Sequence, residues 1–238
     1  MGTAEERKKI IVLEDQAEDI KRALDFYYRF LAGQYEVLAM DYKDLLGEKS
    51  QNGQNPTEIA VILKQIRARI IPDLADLGLY GSYSVGCPEC NPHAGIAYDL
   101  CQEFWYKRAW FLHPEGGTTI DFNKPRHVDN DPCPAPSVSY SFSRDGKVQV
   151  QISACRTQFL VMIDALASYF RLLSYRYIDL FLRISDDPEV VTLAGRLEDI
   201  YAGKRKKIPQ SKQDLQEQFA KQFAKTADAI GEKLEEKV

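Results

Sequence analysis

The chain has no apolar run long enough to cross a bilayer. Its longest, Phe159 to Phe170, is interrupted by Asp164 and falls far short of the roughly 20 residues a membrane span requires. A dominant charge is missing as well: the formal net charge is -4 over 238 residues and the pI about 5.5, so no overall field draws in nucleic acid or an anionic membrane. The start, Met1-Gly2-Thr3-Ala4-Glu5-Glu6-Arg7, has neither the basic opening nor the apolar stretch of a secretory signal. Glu6 stands where a myristoylation motif needs Ser or Thr. There is no Asn-x-Ser/Thr sequon, and the cysteines number five, an odd count. Together these absences predict a cytoplasmic protein with no membrane partner, its thiols reduced or metal-bound.

Familiar catalytic signatures are missing too. The sequence contains no His-Glu-x-x-His, no Glu-x-x-His pair, no Walker loop, no Gly-x-Gly-x-x-Gly and no Gly-x-Ser-x-Gly. What remains is an ordinary globular composition, 45% apolar and 28% charged, long enough for one large or two small domains without disulfide staples.

From Ile10 the residues Leu13, Ala17, Ile20, Leu24, Tyr27 and Leu31 recur at spacings of three and four, which lines them up on one helix face. This predicts a helix from Glu5 to Leu46, bent near Gly33, with a seam suited to a partner helix. The competing reading is a strand, because Ile10-Ile11-Val12-Leu13 is a mostly β-branched run. With Glu14-Asp15, a helix from Ala17 and then Tyr35-Glu36-Val37-Leu38, that opening resembles the β-α-β start of a response-regulator receiver over residues 8 to 40. The resemblance implies an α+β N-terminal part with Glu14-Asp15 at a magnesium site, although Gly78 stands where a receiver carries its phosphoacceptor Asp.

Further along, Asn55 and Pro56 open a predicted helix striped by Ile59, Ile62, Leu63, Ile66 and Ile70, which Pro72 ends. Asn91-Pro92 opens the next, running to Leu112 with Trp105 and Trp110 on it. Prolines crowd Asn123 to Pro136, a loop. Val138, Tyr140 and Phe142, the turn Asp145-Gly146, and Val148, Val150 and Ile152 spell a β-hairpin by period and turn chemistry. A long helix is predicted from Ala154 to Ile184, another from Ser185 to Tyr201. A basic linker at Gly203–Pro209 then leads to an amphipathic helix from Ser211.

All five cysteines and all three histidines fall between positions 87 and 155. Cys87-Pro88-Glu89-Cys90 has the spacing with which two thiolates grip one tetrahedral ion, and His93 follows at the same interval. His127 and Cys133 supply a looser second half, so the expected zinc ligands are Cys87, Cys90, His93, His127 and Cys133. The bland reading is that the cysteines are small core residues and the histidines hydrogen-bonded ones. Cys-Pro-x-Cys also resembles a glutaredoxin-type redox pair, without the strand-helix context of that family. The segment Phe104-Trp105-Tyr106-Lys107-Arg108-Ala109-Trp110-Phe111 mixes rings with cations as a single-stranded nucleic-acid surface would, but core packing is the favoured reading and no nucleic-acid partner is expected.

The architecture expected is mostly α: a long-helix bundle with an inserted β-hairpin and a Cys/His-rich loop region. Its parts are an N-terminal helical hairpin (1-80), the insert (81-153), a helical return (154-203), and a basic linker with a C-terminal helix (204-238). The function expected is a binding or scaffold protein with a structural zinc, pairing through amphipathic helices with a protein partner or with itself as a homodimer. The alternatives are a metal- or thiol-dependent enzyme using Cys87 and Cys90, or a degenerate receiver-like signalling domain.

Overall fold

A computed structural model describes the chain over residues 7–39, 57–77, 81–128 and 133–202. It divides into two compact units, Met1–Glu198 and Asp199–Val238, and of the second only residues 199–202 are described. The described chain is mostly helical, with one small antiparallel sheet of three strands. The linker and helix expected beyond Gly203 lie outside the described residues, as do Asn55 and Pro56.

The predicted hairpin is present as β2 (Ser137–Phe142) and β3 (Val148–Ala154), turned at Gly146 with φ +79°. β3 is the central strand, and its other edge pairs antiparallel with Lys8–Leu13, here β1. Ile10 thus lies opposite Ile152 and Val12 opposite Val150, while β2 sets Val138 and Tyr140 against the same two residues. These rows form the inner face of the sheet, and Ile11 and Leu13 face outward.

A single helix from Glu5 to Leu46 is therefore not what forms. Residues 8–13 satisfy period 2 as well as the three-four spacing, and pairing with β3 favours the strand. The strand reading holds, but the receiver topology does not: β1 runs antiparallel to its neighbour, and Tyr35–Leu38 is a turn of 3-10 helix. Receivers need a parallel sheet.

Helix α1 (Glu14–Leu31) follows β1 directly, with Gln16 Oε1 accepting the Leu13 amide at 3.0 Å. It ends at Gly33, φ +87°, where Gln34 N–H reaches back to the Arg29 carbonyl and Gly33 N–H to Phe30, the two bonds of a Schellman stop. The stripe read as a partner seam is buried at home: Ala17, Ile20, Leu24, Tyr27 and Leu31 all lie in the core. Helix α2 (Glu58–Ile70) is capped by Thr57 rather than Asn55, its Oγ1 accepting from Ala60 N–H at 3.1 Å. Helix α3 (Pro92–Leu112) begins where Asn91-Pro92 predicts, with the Asn91 side chain accepting from His93 N–H at 2.9 Å.

The long helix expected from Ala154 to Ile184 is instead α4 (Arg156–Leu173) and a short α5 (Tyr177–Phe181). Tyr175 takes the left-handed conformation, φ +57°, and Arg176 N–H bonds back to the Arg171 carbonyl. This too is a Schellman stop, built without the glycine that normally announces it. Helix α6 (Pro188–Ala202) completes the described chain. Ion pairs tie α2 to α6 and the residue just before it: Arg69 with Asp187 and Glu189, and Glu58 with Arg196.

α1 packs against both α3 and α4, and α3 also covers the sheet at β2. α3 is apolar around much of its first half, with Ala94, Ile96, Ala97, Leu100, Cys101 and Phe104 all buried, as a helix covered on several sides must be. No helix among the described residues is long and apolar enough to cross a membrane.

Candidate functional site

The Cys87–Cys90 turn sits immediately before α3. Cys87 N–H bonds to the Ser84 carbonyl and Cys90 N–H to the Cys87 carbonyl, so the two cysteines bracket one tight turn that runs into the helix cap. Gly86, φ +92°, makes the preceding reversal possible. Cys87 is half-buried and Cys90 buried. Burial pushes the Cys90 thiol above its ordinary pKa and the neighbouring Cys87 adds to this, while the backbone amides of Gly86 and Asn91 pull the other way. A buried thiol held protonated is a poor nucleophile.

A cavity of about 320 Å³ opens beside the turn, lined by Gly86, Cys87, Pro88, Cys90, Gly95 and Val128 among others. Val128 fits between two glycines: a Cβ on Gly86 would lie 2.2 Å from its Cγ1, and one on Gly95 3.5 Å away. The turn also borders a second cavity of about 360 Å³, to which Glu89 and Asn91 contribute with Tyr35 and Tyr83.

What keys Val128 into that position is Asp99, a carboxylate on α3 that is 1% exposed. Both of its oxygens lie 3.2 Å from the Val128 amide, and Oδ2 lies 3.1 Å from His127 Nδ1. A carboxylate on Nδ1 orients the imidazole and leaves Nε2 as the nitrogen that can take a metal, an arrangement common behind metal-binding histidines. Gly95 and Asp99 are four residues apart and so share one face of α3. No sequence motif points to either, though Asp99 is the single charge in the otherwise apolar run Ala94 to Cys101.

A second buried charge fixes the other end of this region. Arg67 on α2, 0% exposed, donates to the carbonyls of Gly81, at 3.0 Å, and Leu77. Tyr83 donates its hydroxyl to Asp73 at 3.2 Å.

Of the five residues expected to hold zinc, Cys87 and Cys90 share the turn, and His93 stands half-buried in the first turn of α3. His127 is held against the same helix by Asp99. Cys133 goes elsewhere: its sulfur lies 3.4 Å from that of Cys155. Among the described residues, no three side chains of His, Cys, Asp or Glu form a group that could hold a metal ion. Cys101 is fully buried and directs its thiol at the Lys21 carbonyl, 3.7 Å away. His113 pairs with Glu115 at 3.3 Å. The aromatic segment is engaged internally: the Lys21 ammonium lies 3.8 Å over the Trp105 ring, Trp110 donates to the Phe122 carbonyl, and Phe111 stacks on Tyr140. Set against protein-family models, curated proteins and solved structures, the chain matches none.

Proposed function

We propose that this chain is a non-catalytic binding or scaffold protein, a bundle of helices whose inserted region is braced by one structural zinc ion. The observation that carries the scaffold reading is the use made of two of the buried charges. Asp99 and Arg67 are directed at backbone groups in the insert and just ahead of it, and so work as brackets for Leu77, Gly81 and Val128. Burying an ion is costly unless hydrogen bonds compensate it, so such groups mark backbone that must be held in one place.

The zinc reading draws on the donor chemistry next to those brackets. Cys87 and Cys90 supply two sulfurs from one turn, and His127 supplies an imidazole whose Nδ1 is already held by a carboxylate. His93, two residues into α3, is the fourth proposed ligand; these four side chains are not gathered into a metal group in the structure, so the Cys2His2 set closes around zinc only when His93 and His127 swing onto the turn. Cys133 is left out because its sulfur rests on Cys155. Burial holds the Cys90 thiol protonated, and a metal would have to displace that proton on binding.

The test is metal content of the full chain, purified without a metal-affinity step, by mass spectrometry under native conditions and by elemental analysis. One zinc per chain is expected in the wild type, and at least a tenfold weaker hold on it in His127→Ala and in Cys87→Ser/Cys90→Ser. Protein that folds with no stoichiometric metal, and takes up none when refolded with zinc, overturns the brace.

A further inference from the structure

We propose that Cys133 and Cys155 form a reversible disulfide on oxidation, making them a modification site that latches the chain ahead of β2 to the start of α4. Their sulfurs are in van der Waals contact at 3.4 Å, although 22 residues separate them in sequence. Cys155 is the residue just before α4 and is fully buried; Cys133 is half-buried and is the one an oxidant meets first.

A single side chain sets this approach. Gln158, 1% exposed, accepts the Cys155 amide on its Oε1 at 3.0 Å and donates from Nε2 to the Pro134 carbonyl at 2.7 Å. One buried amide thus fixes the backbone beside both cysteines. Pro134 and Pro136 follow Cys133, so the chain leading into β2 is stiff and little freedom is lost on crosslinking. Arg7 donates to the Ala135 carbonyl and ties the same stretch to the residue just ahead of β1.

With a peroxide as oxidant, the Cys133 thiolate attacks one peroxide oxygen, the O–O bond breaks, and a sulfenic acid and water form. The Cys155 sulfur then displaces water from that sulfenic acid, and its proton leaves with the hydroxide. Two thiols are oxidised by two electrons and one peroxide is reduced to two waters. With a low-molecular-weight disulfide, two thiol–disulfide exchanges reach the same product and release two thiols. Excess dithiol reverses either route.

The latch does not rest on the zinc reading, since neither cysteine is among the ligands proposed above. The full chain is treated with one equivalent of hydrogen peroxide or with oxidised glutathione, then alkylated, digested and mapped. Loss of two of the five thiols, a linked pair of peptides carrying Cys133 and Cys155, and a melting temperature raised by about 5 to 10 °C over the reduced protein are expected. The rise should vanish with dithiothreitol and be absent in Cys133→Ser. Alkylation of both Cys133 and Cys155 after treatment, or a link through Cys87 and Cys90 in their place, overturns the proposal. Peptide mapping of the wild type decides between these outcomes even if a variant folds poorly.

Discussion

Replacing Gly86 by alanine asks whether Val128 is the key that holds the 123–128 segment to α3. The new Cβ would stand 2.2 Å from Val128 Cγ1, far inside contact distance, at a backbone φ of +92° that an L side chain resists. The backbone strain costs about 1–2 kcal/mol. Val128 must also move, and its amide is what both oxygens of the buried Asp99 accept from. Weakening that bond leaves a buried carboxylate short of a donor, roughly a further 1–3 kcal/mol. A loss of about 3 kcal/mol corresponds to a fall of about 10 °C in melting temperature for a chain of this size. Gly95, on the opposite side of Val128, gives the internal control. A Cβ there meets Val128 at an ordinary 3.5 Å in a helical backbone, so Gly95→Ala is expected to stabilise by about 0.5–1 kcal/mol through helix propensity. Urea unfolding of the two variants with a common m-value measures both signs. A Gly86→Ala protein within about 0.5 kcal/mol of wild type, or a Gly95→Ala protein destabilised as much as its partner, refutes the reasoning.

Arg67→Met removes a buried cation that donates to the Gly81 and Leu77 carbonyls; a loss of roughly 2–4 kcal/mol is expected, read by urea denaturation. Alkaline stability tests Cys101, whose thiol is pushed up to about 12 by burial and then by the Asp25 carboxylate. Below pH 9 both states keep the proton, and above it the unfolded chain loses the proton first. Stability should therefore fall as pH rises from about 9 towards 12, by at most about 1.4 kcal/mol per pH unit from this group. Between pH 9 and 10, before tyrosines contribute, Cys101→Ala should flatten the slope measured by urea titration, and an unchanged slope would contradict the assignment. Sedimentation of the chain truncated after Lys207 should give a monomer, because the α1 stripe is buried within its own unit.

Which elements were legible follows from where their deciding interactions lie. The hairpin was readable because both strands, their period of two and the Asp145-Gly146 turn are contiguous; α3 was readable because Asn91 and Pro92 mark its start locally. β1 was legible only as the competing reading, since the choice between helix and strand for Ile10 and Val12 is made by β3, some 140 residues away, which supplies the pairing edge. The break after α4 carries no glycine or proline, only Tyr175 in an uncommon left-handed conformation closed by the Arg176 N–H bond to the Arg171 carbonyl. At the site, C-x2-C spacing located Cys87 and Cys90 on one turn. It could not foresee Asp99 as the anchor of His127, nor choose between His127 and Cys155 as the neighbour of Cys133. Those pairings join segments that the sequence keeps well apart, and only the packing of α3 and α4 around α1 brings them together.

The most direct test of a structural zinc scaffold is X-ray absorption at the zinc edge of the full-length protein. A closed site predicts two sulfurs at about 2.3 Å and two imidazole nitrogens at about 2.0–2.1 Å, with a spectrum unchanged by added anions that bind open zinc. A first shell with a water or another exchangeable oxygen, or with fewer than two sulfurs, would contradict the account and turn the site into a catalytic one or none.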